Sequence, residues 1–559
     1  MTELKTTVSL RLPSSCRALS QQNGQNHDNI SNPKPPIFNL HNDILWWIFW
    51  LNADMEEEAE DKDEIAAIDT LRFSSQVSSS WRQIILSFSS LWGQVINLSH
   101  LEHNEWREEV LRRTGRSLLS VLWGYSGIVC LSEDVAANIL EHHWDRIRWL
   151  KLDFTSTGWM KGFKITQFWE IFRRPSEVLE TFRITFDPRE QEPAPILSPL
   201  DFVVFNNLAP ALRIFFAPNI KFNLYAPWLA HLRFLALNCE VSAYDVIQAI
   251  SHMPLLEFLV DTTSNAIAST GVALSSLPQI TAPSIKAITL DSNSDIGPYM
   301  DFLAQIKPLV GCYLNFSHDG LTCNGETLNL ASCVLHTYSK CCDFTRAINM
   351  SLNLYPRHFN FEAQIPRQGL FHFKIRYCTE LPRGIINALF AALPSIKFQD
   401  VETLALSISR LIFKPSDSRI SQFVLSVPSV KMLSVSPETL DFLLKLPSDI
   451  LALSFPVLRR VEISWCLLEK ELSIIKQFLM SRISAGRPVE ILSIPIDLDS
   501  YTDLRSLDEF TGLALILRSR DQEYDHMCGS GQVEDLFIPP KRRHGSDSPS
   551  SEFSSEDGQ

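Results

Sequence analysis

The residues best suited to chemistry gather in one stretch: Cys312, Cys323, Cys333, Cys341 and Cys342, with His318 and His336. Thiolate and imidazole bind zinc, but zinc sites usually take their ligands in close pairs two to four residues apart. Only the adjacent Cys341 and Cys342 are near neighbours, so buried reduced thiols are the expectation. Gly529-Ser530-Gly531 lacks the further glycine and the lysine of a phosphate-binding loop. Gly124-Tyr125-Ser126-Gly127 is not a nucleophile elbow, because its second glycine comes one residue early. His142-His143-Trp144-Asp145 stands just before a strand signal and reads as helix-end and surface chemistry. No nucleophile–base pair, ligand set or phosphate cradle emerges, so the expectation is no enzyme, no metal and no cofactor.

What remains is the chemistry of apolar contact. Leu40, Ile44, Leu45 and Ile48 follow a helical period, with Asn39 or Asn42 available as a cap. From Asp54 to Glu64 the chain carries eight carboxylates against the single Lys62, the composition of a solvated loop. Apolar positions resume at Ile65, Ile68 and Leu71, and Val77, Trp81, Ile84 and Ile85 mark another helix. Three short helices cannot enclose a core alone, so an apolar face is left over for a partner.

These residues resemble the F-box family. The first half of the motif matches LHNDILWWIFWL, with Leu40, Asp43, Ile44, Leu45, Ile48 and Phe49 in the family positions. The second half matches QVSSSWRQIILSFSSLWGQV, through Val77, Ser78, Trp81, Arg82, Leu91 and Trp92. His41 stands where the family has proline, and Ser79-Ser80 where it has a Cys-Arg type pair. The acidic stretch lengthens the first inter-helix link, as in the large fungal expansions of the family. The resemblance implies a module that packs its apolar face into a Skp-type adaptor and, through it, a Cullin. Leu40, Ile44, Leu45, Ile48 and Phe49, with Val77 and Trp81 behind them, would be the adaptor-binding residues.

Beyond residue 140 an apolar triple at positions x, x+3 and x+5 recurs. It starts at Ile147, Leu179, Leu232, Ile285, Val401, Val430, Leu458 and Val489, with weaker copies at Leu212 and Leu256. With about a third of residues large and apolar, chance alone places such a triple at about one position in 27, so context must decide. A proline precedes it by two residues at Pro210, Pro254, Pro283, Pro428 and Pro456, and Pro-Ser-aliphatic-Lys recurs at Pro283, Pro394 and Pro428. On either side of one gap, Ile285 to Val401, successive starts lie 20 to 33 residues apart, near the leucine-rich-repeat period. Amphipathic helices fall between: Val246, Ile247, Ile250 and Met253; Ile386, Leu389, Phe390 and Leu393; Leu440, Leu443 and Leu444; Leu472, Ile475 and Leu479. The repeat's Asn or Cys is present only as Asn293 and Cys466. From about Asn293 to Asp400 the register breaks, leaving divergent repeats or an insertion open.

The fold class expected is therefore α/β: an N-terminal three-helix F-box followed by an irregular leucine-rich-repeat-like solenoid, a horseshoe with strands on its concave wall. The divisions are a disordered segment 1–36, the F-box 37–100, the repeat region 101–535 and a disordered tail 536–559. A net charge of −14 argues against a nucleic-acid surface. Lys541-Arg542-Arg543-His544 reads as a solvated basic patch or a weak nuclear signal. The longest apolar run, Ile44 to Leu51, falls far short of the roughly 20 residues of a membrane span, and no signal peptide opens the chain. Eleven scattered cysteines fit a reduced compartment, cytoplasmic or nuclear. The function expected is the substrate-recognition subunit of a Skp–Cullin–F-box ubiquitin ligase, holding an unknown target protein on the repeats. The alternative is a repeat scaffold with a degenerate F-box and no ligase role.

Overall fold

The computed structural model describes residues 40–53, 55, 65–124, 132–154, 166–186, 198–199, 201–217, 220–237, 241–261, 267–268, 279–293, 295–321, 325–366, 369–393, 398–465, 469–496, 502–519 and 523–538. The segment 1–36, nearly all of the acidic stretch, Cys323, Pro394, Cys466, the basic patch and the tail beyond 538 lie outside the described residues. The chain divides into two compact units, Met1–Cys312 and Tyr313–Gln559.

The first unit opens with helices α1 (Asn42–Asn52), α2 (Ala67–Val77), α3 (Ser79–Ser87), α4 (Ser89–Gly93) and α5 (Asn104–Arg113). The cap of α1 is His41 rather than Asn42, its Nδ1 accepting from the Asp43 amide at 3.3 Å; Asn39 lies outside the described residues. Ser78 separates α2 from α3: its extended backbone ends one helix, and its hydroxyl accepts from the Trp81 amide at 3.1 Å to cap the next. Val77 is therefore the last residue of α2 rather than part of the helix that carries Trp81.

Eight strands follow as one parallel ladder: β1 (Ile96–Asn97), β2 (Leu119–Trp123), β3 (Ile147–Phe154), β4 (Thr181–Phe186), β5 (Ile214–Phe216), β6 (Phe234–Leu237), β8 (Phe258–Asp261) and β11 (Ala287–Ser292). Two short parallel pairs lie beside it, β7 (Val241–Ser242) with β9 (Ile267–Ala268) and β10 (Ile280–Thr281) with β12 (Ile306–Lys307). The triples lie in register. Leu150, Phe182, Phe215, Leu235, Leu259 and Ile288, all x+3 residues, are direct neighbours from strand to strand. All six are buried. The connections hold α6 (Glu133–His143), α7 (Thr166–Phe172), α8 (Ala243–Ser251) and α9 (Gly297–Gln305). Among the described residues between β4 and β6 the links carry 3-10 turns rather than α-helices, Val204–Asn207 and Pro227–His231. The 20-residue step from Leu212 to Leu232 has little room for an α-helix between two strands.

The recurring proline has a local cause. Leu212, Leu256, Ile285 and Leu458 each donate their amide to the carbonyl three residues back, with proline at the second position of that turn. The ring presets the backbone angle that throws the chain into the next strand.

In the second unit β13 (Tyr313–Gly320) pairs in parallel with β16 (Gly369–Tyr377). β16 runs antiparallel to β15 (His358–Ile365), β15 antiparallel to β14 (Asn349–Tyr355), and β14 is parallel to β17 (Thr403–Ile408). From there β18 (Met432–Val435), β19 (Arg460–Ile463), β20 (Ile491–Pro495) and β22 (Ala514–Arg518) continue in parallel, and β23 (Glu523–Met527) closes as an antiparallel hairpin. A short antiparallel pair, β21 (Thr502–Asp503) with β24 (Phe537–Ile538), accompanies them. The break in register is thus an insertion: strands β15 and β16 are threaded between β13 and β14. Helices α10 (Gly325–Ser339), α11 (Arg383–Ala392), α12 (Ser418–Leu425), α13 (Pro437–Leu444), α14 (Ser448–Leu453) and α15 (Glu469–Ser484) form the connections. The expected core positions Ile386, Leu440, Leu443, Leu472, Ile475 and Leu479 are buried. No described helix is long and apolar enough to cross a membrane.

Candidate functional site

Among the described residues two surfaces stand out for apolar chemistry, and the first is the N-terminal helix cluster. Leu45 and Phe49 turn inward, 3% and 2% exposed, and the Phe49 ring meets Trp81 edge-on at 5.1 Å. Ile68, Leu71, Ile84 and Ile85 complete that core. Trp92 is anchored behind it by its indole N–H, which donates to the Ile85 carbonyl at 2.9 Å. Ile44 (48% exposed), Trp47 and Leu51, spaced three and four residues apart, form an outward stripe along α1. On α2 Phe73 and Val77 (59% exposed) do the same. Leu40, Ile48 and Trp81 are half-buried. The seven expected contact residues therefore divide: Ile44 and Val77 face solvent, three lie at the rim, and Leu45 and Phe49 hold the cluster together.

The second surface is the strand face opposite the triples, because side chains alternate along a strand. In the first unit it carries Ile214, Phe216, Phe234, Phe258 and Val260, all half-buried. The rings of Phe216 and Phe234 lie 6.3 Å apart, and those of Phe234 and Phe258 6.4 Å. At the start of this face a cleft of about 280 Å3 runs under the end of α1, lined by Trp50, Leu51, Ser120, Arg148, Trp149 and Glu180 among others. Helix cluster and strand face thus meet within one unit.

A charged row borders the apolar one. Arg148, Glu180, Arg213, Arg233, Glu257 and Lys286 occupy position x+1 of successive repeats, each amide from Glu180 onward donating to the preceding repeat's x+1 carbonyl at 2.7–2.8 Å. Lys286 and Arg233 reach Glu257 at 2.8 and 3.8 Å. Glu402, Lys431, Arg459 and Glu490 repeat the pattern in the second unit. Such exposed pairs add little stability and fix the register of charge along the face. A charged residue directly after the first apolar residue of each triple was a sequence signal for this row.

The inserted strands turn the corresponding face polar. Asp319 is held by Lys374 at 2.9 Å and Arg376 at 2.5 Å. His372 lies between the amide oxygens of Asn315 and Asn360, at 3.0 and 2.8 Å. His358 is pushed down to about 4, first by burial and then by the charges of Lys374 and Arg376. The unfolded chain therefore binds a proton here that the folded chain refuses, and stability must fall as pH drops from about 6.5 to about 4. The expected loss is up to about 3 kcal/mol, and His358→Gln should flatten this part of a urea-unfolding series against pH. An unchanged slope in that variant would refute the assignment.

The cysteines and histidines of the first stretch take separate places. Cys312 and Cys342 are buried and Cys333 is exposed. His336 Nδ1 faces the Ala392 carbonyl at 3.1 Å, and His318 is packed against Tyr377 with ring centroids 4.9 Å apart. Trp144, expected at the surface, is core: it is 2% exposed, stacks on Phe205 and donates to the Pro175 carbonyl at 3.1 Å. The 3-10 turn after α6 swings it inward while His142 and Asp145 stay outside. A different trio does converge, Asp508, His526 and Cys528, whose donor atoms all lie within 4.8 Å of one another. Burial and the Asp508 charge push the Cys528 thiol up to about 11. Cys528 and His526 stand far from the other cysteines in sequence, and Asp508 lies 18 residues before His526, so spacing gave no sign of the trio.

No family model matches the chain, and no curated protein matches it. Among solved structures it is similar to the leucine-rich repeat-containing protein LegL7 of Legionella pneumophila, at 14% identity and a TM-score of 0.24, over 54% of this chain and 87% of that one. An internalin, InlF, of Listeria monocytogenes is similar at 12% identity and a TM-score of 0.26, over 67% of this chain and 81% of the other. The strand-and-helix repeat itself stands on the registers above.

Proposed function

We propose that the chain is a protein-interaction scaffold of strand repeats that serves as the substrate-recognition subunit of a Skp–Cullin–F-box ubiquitin ligase. The observation that carries this reading is the stripe of Ile44, Trp47 and Leu51, left outside while Leu45 and Phe49 close the helix cluster's own core. A face of that kind docks an adaptor, and the half-buried aromatic row Phe216, Phe234 and Phe258 receives the target. The chain itself carries out no chemical step. It raises the local concentration of the target's lysines near the ubiquitin-charged enzyme to about millimolar.

The test is affinity capture of the intact chain, scored for a Skp-type adaptor and a Cullin; their absence would overturn the ligase role. Phe216→Ser with Phe234→Ser should weaken capture of the target by about tenfold or more while adaptor capture is unchanged. Loss of both partners together, or of neither, would count against the division between the two surfaces. A second reading, a scaffold with a degenerate F-box, rests on His41 in the family's proline position and on Ser79-Ser80. It is favoured if targets are captured and the adaptor is not.

A further inference from the structure

We propose that Asp508, His526 and Cys528 bind one divalent transition-metal ion of the zinc class, fastening the β22–β23 hairpin to the turn that precedes it. One carboxylate oxygen, one imidazole nitrogen and one sulfur all lie within 4.8 Å of each other. Tetrahedral zinc, with bonds of about 2.0–2.3 Å, sets its ligand atoms roughly 3.3–3.8 Å apart. His526 Nε2 already stands 3.4 Å from Asp508 Oδ1. This mixture of sulfur, nitrogen and oxygen suits zinc or cobalt, whereas magnesium and calcium take oxygen ligands.

The frame around the trio is built from both sides of the hairpin. Cys528 donates its amide to the Leu513 carbonyl at 2.9 Å, and its own carbonyl accepts from Gly512 at 3.0 Å. His526 lies in β23 and Cys528 directly past its end, where its backbone pairing with Gly512 and Leu513 continues the ladder, so the two side chains, two residues apart, fall on one face. They are 8% and 1% exposed. The Gly529 amide donates to Asp508 Oδ1 at 2.7 Å and fixes the carboxylate. Gly529 has φ +80°, and a Cβ there would meet the Thr511 side chain at 2.9 Å, so only glycine closes this turn. Gly529-Ser530-Gly531, unfit to cradle phosphate, is thereby the loop that holds the carboxylate in place. Three protein ligands leave the fourth position to solvent, and the side chain of Asp508, 17% exposed, leaves the ion a path inward.

The experiment titrates the intact, reduced chain with Co2+. The expected result is one equivalent bound, with a near-ultraviolet thiolate-to-cobalt band that Zn2+ abolishes by displacement. Cys528→Ser should lose the band, His526→Gln should weaken binding by about 100-fold or more, and the near-isosteric Asp508→Asn should keep the band at reduced affinity. Zn2+ should raise the melting temperature of the parent chain and not that of Cys528→Ser, which reports the site through the fold. No band in the parent chain, or a band that persists in Cys528→Ser, overturns the site.

Discussion

Ile44→Asp combined with Val77→Asp is expected to abolish capture of the Skp-type adaptor, a loss of at least about 1000-fold in affinity. Each side chain is about half exposed in the free chain, so a carboxylate there is solvated and the helix cluster keeps its fold. In the complex the same carboxylates would be stripped of water against an apolar partner without a compensating cation. Two interface anchors at about 2 kcal/mol or more each give the expected factor. The control is Leu45→Asp: Leu45 is 3% exposed, so that change should melt the cluster itself, visible as lost helical circular dichroism. Adaptor co-purification within about tenfold of the parent for Ile44→Asp/Val77→Asp would remove the F-box reading.

Phe182→Ala should destabilise the first unit by about 3–5 kcal/mol. Phe182 is fully buried at the centre of the ladder, its ring 5.2 Å from Phe172, 5.0 Å from Phe205 and 5.8 Å from Phe215. Deleting it leaves a void that aromatic neighbours held by their own strands and turns cannot refill. Phe234→Ala, on the opposite strand face, should cost clearly less, about 1–2 kcal/mol, since that ring is only partly buried. Urea unfolding followed by tryptophan fluorescence checks both. Equal costs for the two would mean that the strand faces are assigned the wrong way round.

The ten apolar triples were legible because their spacing is local physics. Within a strand, x+3 and x+5 share a face, and in half of the triples a proline two residues before x marks the turn that starts it. Every x+3 residue of the ten is buried, Leu150 and Leu492 as much as Phe215 and Leu259 of the weaker copies. Other rungs escaped notice, two of them for a local reason. At Leu119 a bulge slips the register, so Val121 takes the place of the x+3 residue, and before Leu515 the first position is Gly512. The strands between Tyr313 and Tyr377 were legible only as a break, because antiparallel pairing of β14, β15 and β16 depends on contacts that strand periodicity does not encode.

The residues alone thus determined that the chain folds as helices followed by parallel strand–helix repeats, and which side chains form the repeat core. Their spacing is enough, since burial follows from the period of each element. Which of the helix residues stay outside was decided only by tertiary packing. Ile44 and Leu45 are adjacent and equally apolar, and it is the placement of Trp81 against Phe49 that turns one side of α1 inward and leaves Ile44 in water. The same holds for Asp508, His526 and Cys528, which become neighbours only when the last hairpin folds back, because convergence of distant side chains is a property of the fold and not of any local pattern.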